Sequence, residues 1–107
     1  MATLDRRLIL DAKLRRIIGS TNVYFEPPTS LVMKYPCIRY KRSDIDVVHA
    51  DNKVYLGHNR YEIIVIFEDA DDDLPEKMLY NNEGLTLNLE RPYVADNLHH
   101  YVFTTYF

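Results

Sequence analysis

Residues 101–107 read Tyr-Val-Phe-Thr-Thr-Tyr-Phe, an unbroken run of aromatic and β-branched side chains. That is strong strand composition. On a strand, Tyr101, Phe103, Thr105 and Phe107 share one face, and Val102, Thr104 and Tyr106 share the other. Both faces carry large groups, so both are expected to be covered. Chain ends fray unless something ties them down. Tyr101, Val102, Phe103, Tyr106 and Phe107 together are too apolar to be left in water. The run therefore predicts a strand inserted into a sheet and packed on the core, with another subunit supplying part of its cover.

The upstream sequence supplies the partners. Thr3 can cap a helix that starts near Leu4 and stops before Gly19, a typical glycine after a helix end. At 100° per residue, Arg7, Asp11 and Arg15 fall on one line, spaced for ion pairing. Leu10, Leu14 and Ile17 flank that line on one side; Leu4, Leu8 and Ala12 flank it on the other. Two apolar flanks fit either two partners, the domain's own sheet and a second subunit, or one broad apolar face that tolerates the ion triplet. Residues 23–25 form a short strand, broken by Pro27-Pro28. Residues 31–33 and 35–41 continue extended, interrupted at Pro36, which places that start at an edge or a strand end.

Residues 43–60 carry few secondary-structure signals. A stretch this long reads as a functional segment or a hairpin arm. We expect an extended arm in which 45–48 pair with 54–56 around Asp51-Asn52-Lys53. Residues 61–68 are the best candidate for a central strand, apolar on both faces in the middle. Asp73 with Glu76 fits a capping box, with Pro75 in the first turn of a helix ending near Tyr80. Residues 85–90 alternate as a half-exposed strand, ended by Arg91-Pro92-Tyr93, and 95–97 turn the chain into the terminal strand. The fold class is α+β: a mainly antiparallel sheet of four to five strands, an N-terminal helix, a second short helix and a long hairpin-like arm, in one domain over residues 1–107.

Composition narrows the functional classes. One cysteine, Cys37, cannot form an internal disulfide, which suits a reducing compartment. The N-terminus has no apolar signal core, and no run is long enough to cross a bilayer. The expectation is a soluble protein made inside a cell, without a membrane partner. Residues 1–42 hold nine Lys or Arg against three Asp or Glu, a net +6; residues 43–107 hold four against thirteen, a net −9. The halves either neutralise each other within the fold or meet oppositely charged neighbours. A free nucleic-acid binder would be more basic overall.

The usual chemical motifs are missing. Glu68 and Asp69 with Asp71-Asp72-Asp73 lack the loop pattern of a calcium site. His99 and His100, adjacent on a strand, point to opposite faces, and Cys37, His49 and His58 have no zinc-ligand spacing. Glycines at 19, 57 and 84 cannot build a phosphate loop. Nothing in the sequence sets Cys37 beside a histidine and an orienting acid. No enzyme activity and no cofactor are expected. Nine tyrosines and four phenylalanines with no tryptophan lean toward an interface, because tyrosine offers large contact area with few rotamers.

Three segments carry a family resemblance: residues 22–25 with Pro27-Pro28; Tyr35-Pro36 through Asp44-Ile45-Asp46 and Ala50-Asp51-Asn52; and the ending from Tyr93 through Asp96-Asn97-Leu98-His99-His100 to Phe103. They resemble the small tail-completion proteins of long-tailed bacteriophages, also described as tail terminators or head–tail joining proteins. The resemblance spans nearly the whole chain, is densest at the C-terminus and departs at residues 81–89. It implies a virion structural protein at the tail–neck junction, assembled in the host cytoplasm, with no catalytic residues. It further implies a homo-oligomeric ring, commonly a hexamer, that caps the tail tube protein and joins the tail to the neck or capsid connector. DNA would pass through its lumen without specific binding. A neighbouring neck (head–tail connector) protein is the nearest alternative.

On that reading the expected subunit and tube contacts are Arg7, Arg15, Arg16, Asp44, Asp46, Asp51, Asn52, Tyr55, His58 and Arg60. Asp69, Asp71 and Asp72 would face the lumen, where acidic groups keep phosphates from sticking. Two other classes compete: an adaptor that binds a peptide along the sheet edge at residues 85–90, and a hydrolase built around Cys37 and a histidine.

Overall fold

Seven elements follow one another in the computed structural model: α1 (Thr3–Ile18), β1 (Val23–Phe25), β2 (Cys37–Ala50), β3 (Lys53–Phe67), α2 (Leu74–Tyr80), β4 (Asn88–Ala95) and β5 (Leu98–Tyr106). The structure describes the backbone of residues 3–50 and 53–107, and the side chains of residues 5–43 and 59–107. The strands form one sheet in the order β1-β2-β3-β5-β4. The architecture is α+β, as expected, but the sheet is mixed: β1 pairs with β2 in parallel, and every other pair is antiparallel. The parallel pair arises because residues 26–36, rich in proline, cannot make a tight hairpin. They carry the chain back to the end where β1 began before β2 starts. For the same reason residues 31–33, expected to be extended strand, lie outside the sheet, and the Tyr35–Pro36 peptide bond is cis.

The terminal strand is inserted as its composition requires. β5 lies between β3 and β4, in register Ile63↔Phe103↔Leu89. It starts at Leu98, three residues before the expected 101, because Asp96 and Asn97 both take left-handed φ values (52° and 61°) and close a two-residue turn on the Ala95↔Leu98 pair. One face of the sheet carries Tyr40, Tyr61, Ile63, Val65, Phe67 and Phe103, packed against Leu10, Leu14 and Ile17 of α1 and Leu74 and Met78 of α2. Each such side chain contributes roughly 1.5–3 kcal/mol on burial. The opposite face buries a smaller group, Cys37, Ile64, Ile66 and Val102, under Tyr24, Met33, Tyr35 and Leu98. At the chain end, Phe107 sits under the Arg6 guanidinium, 4.8 Å from ring centroid to Cζ, while Tyr106 on the other face is half exposed.

Two local expectations fail. Asp73 makes no side-chain cap on α2; Asp72 Oδ1 instead accepts from the Leu74 N–H at 2.9 Å. The turn residues one step earlier outcompete the capping box, because an aspartate readily bonds the backbone two residues on. The strand expected at 85–90 is displaced to 88–95 and runs through Arg91-Pro92-Tyr93 instead of ending there. Pro92 is tolerated because β4 is an outer strand with a register shift between Leu89 and Arg91. Leu85 is buried and leaves the strand to join the core, and Thr86 O accepts from Thr105 Oγ1 at 2.7 Å.

Candidate assembly surface

The β2–β3 hairpin is the longest feature of the molecule. Fourteen residues of β2 at about 3.4 Å each extend about 48 Å, close to the 50 Å longest dimension of the chain. β1 covers β2 only from Ile38 to Tyr40, and β5 covers β3 only from Arg60 to Phe67. Beyond those pairs the two strands continue together, Ile45↔Asn59, Val47↔Leu56, Val48↔Tyr55 and Ala50↔Lys53. Among the described residues no third strand joins them. The expected hairpin arm is present as the outer half of one continuous ribbon, with Val47 and Val48 paired to Leu56 and Tyr55 as expected, while Ile45 pairs with Asn59 and Val54 with His49. Register shifts between Arg42 and Asp44 and between Ile45 and Val47 mark where the ribbon departs from the sheet, and such shifts bend a strand. Ser43 Oγ donates to Arg60 O, and Arg60 Nη1 donates to Ser43 Oγ, both at 3.2 Å. Arg60, one of the expected contact residues, thus helps hold the base of the ribbon. The side chains of Asp44, Asp46, Tyr55 and His58 lie outside the described residues, as do Asp51 and Asn52 altogether.

The expected basic contacts on α1 all have in-chain partners. Arg15 Nε donates to Asp11 Oδ1 at 2.6 Å. Arg16 Nε donates to Glu83 Oε1 at 2.8 Å, beside Lys13 Nζ on Glu83 O at 2.7 Å. Arg7 lies over the Phe25 ring at 4.3 Å and donates from Nη1 to the Tyr40 hydroxyl at 3.2 Å. The Tyr40 hydroxyl in turn donates to Asp11 Oδ2 at 2.6 Å. The line Arg7-Asp11-Arg15 is thus joined through a buried tyrosine of β2 that the helix pattern gave no reason to name. Burial, then the bond to Asp11, pushes the Tyr40 hydroxyl well above the ordinary tyrosine range, so it remains a donor. Of the two apolar flanks, Leu10, Leu14 and Ile17 are buried against the sheet, and Leu8 on the other flank is half exposed.

The acidic run is a chain of local turns. Asp69 Oδ1 accepts from the Asp71 N–H at 2.9 Å, which leaves Asp69 and Asp71 exposed. Asp71, Asp72 and Glu76 rim a recess of about 320 Å³ whose floor is Phe67, Pro75, Leu79 and Tyr101. A second recess of about 340 Å³ lies on the other sheet face among Glu26, Arg39, Lys41 and Glu62. Neither recess was legible from residue spacing, because each joins elements far apart in the chain.

Cys37 is fully buried, and burial pushes its thiol up to about 11; a thiol so held is a poor nucleophile at neutral pH. His99 stacks on Phe67 and His100 on Tyr93, on opposite faces of β5 as expected. Among the described residues no cluster of three His, Cys, Asp or Glu side chains could hold a metal ion, and no helix is long and apolar enough to cross a membrane. Comparison with known proteins yields no matching family model, no similar curated protein and no similar solved structure.

Proposed function

We propose that this chain is a virion assembly protein of the tail-completion type. Copies close into a ring, commonly of six, that sits on the last tail-tube ring, stops tube growth and joins the tail to the neck. The reading assigns no catalysis and no cofactor to the chain. The observation that carries it is the unaccompanied outer half of the β2–β3 hairpin. An isolated two-stranded ribbon is marginally stable in water. It gains stability when a neighbour or the tube supplies its third strand or its cover. A ring, in which one patch meets a different patch on the next copy, gives each ribbon such a neighbour. Arg15 and Arg16 retain 44% and 56% side-chain exposure beside their in-chain partners, so they can also serve an acidic neighbour. Of the acidic residues expected at the lumen, Asp69 is exposed; Asp71 and Asp72 rim a recess with an apolar floor, which suits a contact better than a water-filled channel.

The test is direct. Purified protein mixed with tail tubes should give rings by electron microscopy and tubes capped at one end. A strict monomer that neither binds tubes nor limits their length overturns the proposal.

The peptide-binding alternative has one observation in its favour. β4 is an outer strand exposed over nearly its whole length, so one side of its ladder is open to strand addition. Pro92 and the neighbouring register shift interrupt that side, as protected edges do, and this makes it the weaker reading.

A further inference from the structure

Residues 28–34 form a built protrusion. The Leu31 N–H donates to Pro28 O at 3.0 Å and closes a turn. The Lys34 N–H donates to the Tyr24 hydroxyl at 3.1 Å, and Asn22 Nδ2 donates to Pro36 O at 3.2 Å. Met33 and Tyr35 pack on the smaller apolar cluster. The segment is thus pinned on both sides, yet its tip presents Leu31 at 44% exposure and Val32 at 87%. A pinned apolar tip in water gains nothing for its own fold.

Its complement lies elsewhere on the same molecule. The recess between α2 and the ends of β3 and β5 has an apolar floor of Phe67, Pro75, Leu79 and Tyr101, and an acidic rim of Asp71, Asp72 and Glu76. The segment that carries the tip packs on the sheet face of Cys37, Ile64, Ile66 and Val102, whereas Phe67 and Tyr101 of the recess belong to the opposite, helix-covered face. The tip comes from the +6 part of the chain, with Lys34 two residues after Val32; the rim comes from the −9 part.

We infer that the occupant of the recess is a second copy of this chain, with Leu31 and Val32 seated on the apolar floor and Lys34 facing the acidic rim. Because the two patches differ, the contact is heterologous and repeats from copy to copy until it closes. It deepens the ring reading above by naming one of its contacts, and it rests on that reading for the choice of a second copy as occupant.

Disulfide trapping tests it. In a Cys37→Ala background, Val32→Cys combined with Leu79→Cys should give, on mild oxidation, a ladder of multimers on a non-reducing gel. Either cysteine alone should not extend past a dimer. By light scattering, Val32→Asp should lower the mass toward the 12.7 kDa of one chain. Lys34→Glu should weaken association at least tenfold, and adding Glu76→Lys should restore it. Both sites are exposed, so unchanged circular dichroism would show that the variants fold. No ladder from a chain that remains multimeric places the contact elsewhere and leaves the ring reading standing. No ladder from a chain that is monomeric throughout overturns both the contact and self-association.

Discussion

Tyr40 and Tyr61 are neighbours on the helix-covered face of the sheet, with ring centroids 6.2 Å apart and both essentially buried. Their hydroxyls have opposite situations. The Tyr40 hydroxyl donates to Asp11 and accepts from Arg7; that of Tyr61 has no hydrogen-bond partner among the described residues. Removing one oxygen from each should therefore have different effects. Tyr40→Phe deletes two hydrogen bonds to charged groups, the long one from Arg7, which keeps the Phe25 ring, and the short one to Asp11, worth roughly 1.5–3 kcal/mol. Asp11 keeps Arg15 at 2.6 Å and is 15% exposed, so the lower part of that range applies, about 2 kcal/mol. For a chain of this length that is on the order of 8 °C in Tm. Tyr61→Phe removes a desolvated hydroxyl that gains nothing, so stability should be unchanged or raised by up to about 1 kcal/mol. Urea titrations at pH 7, followed by circular dichroism, would measure both, with m unchanged if the transition remains two-state. Because the rings are close, the double variant need not be additive. A Tyr61→Phe loss above about 1 kcal/mol together with a Tyr40→Phe loss below it would refute the reasoning.

Three other outcomes are expected. Cys37 has its thiol raised from 9.0 to about 11 by burial. The unfolded chain therefore loses that proton first, so the contribution of Cys37 to stability is constant below about pH 9 and falls as pH rises from 9 to 11; urea midpoints should fall less steeply over that window in Cys37→Ala. Replacing residues 45–58 with a two-residue Asn-Gly turn should leave the thermal transition of the domain within a few degrees, because β1 and β5 pair with β2 and β3 only over residues 38–40 and 60–67. The same deletion should abolish ring formation, read by light scattering. Asn97→Val should cost roughly 1–2 kcal/mol, since φ is +61° there and a β-branched residue resists the left-handed region. Asn97→Gly should not, and a denaturation midpoint comparison of the two would check it.

What the sequence made legible was whatever depends on near neighbours. α1, with Gly19 at φ 75° beyond its end, follows from periodicity and one glycine. The burial of Tyr61, Ile63, Val65 and Phe67 on one face and of Ile64 and Ile66 on the other follows from a run that is apolar at every step. The 96–97 turn follows from residues that tolerate positive φ. The errors came where a distant partner decided. Leu85 and Leu87 alternate like a strand, yet the core beneath α2 claims them and β4 starts later. Leu31 and Val32 have strand composition, yet the Leu31 N–H is spent on Pro28 O in a turn, and the segment stays outside the sheet. The Tyr40 hydroxyl could not be assigned from sequence, because Asp11 is 29 residues away in the chain.

Had the two halves simply neutralised each other, the ion pairs should cross between them. Among the described residues, Arg15–Asp11 lies wholly within the basic part and Lys77–Asp73 wholly within the acidic part, while Arg16–Glu83 joins the two. Exposed pairs of this kind contribute little to stability, about 0–1 kcal/mol each. Their arrangement is therefore informative about partners more than about folding. Lys34 and Lys41 at one side of the sheet, and Asp69, Asp71 and Glu76 at another, remain exposed. A molecule with separate basic and acidic patches attracts copies of itself head to tail and repels them face to face. That polarity should make self-association salt-sensitive: raising ionic strength from about 0.05 M to 0.5 M shortens the screening length severalfold and should shift the light-scattering mass toward the monomer. Association that is unchanged by salt would mean that apolar contact alone holds the copies together, and that the charge division has no part in it.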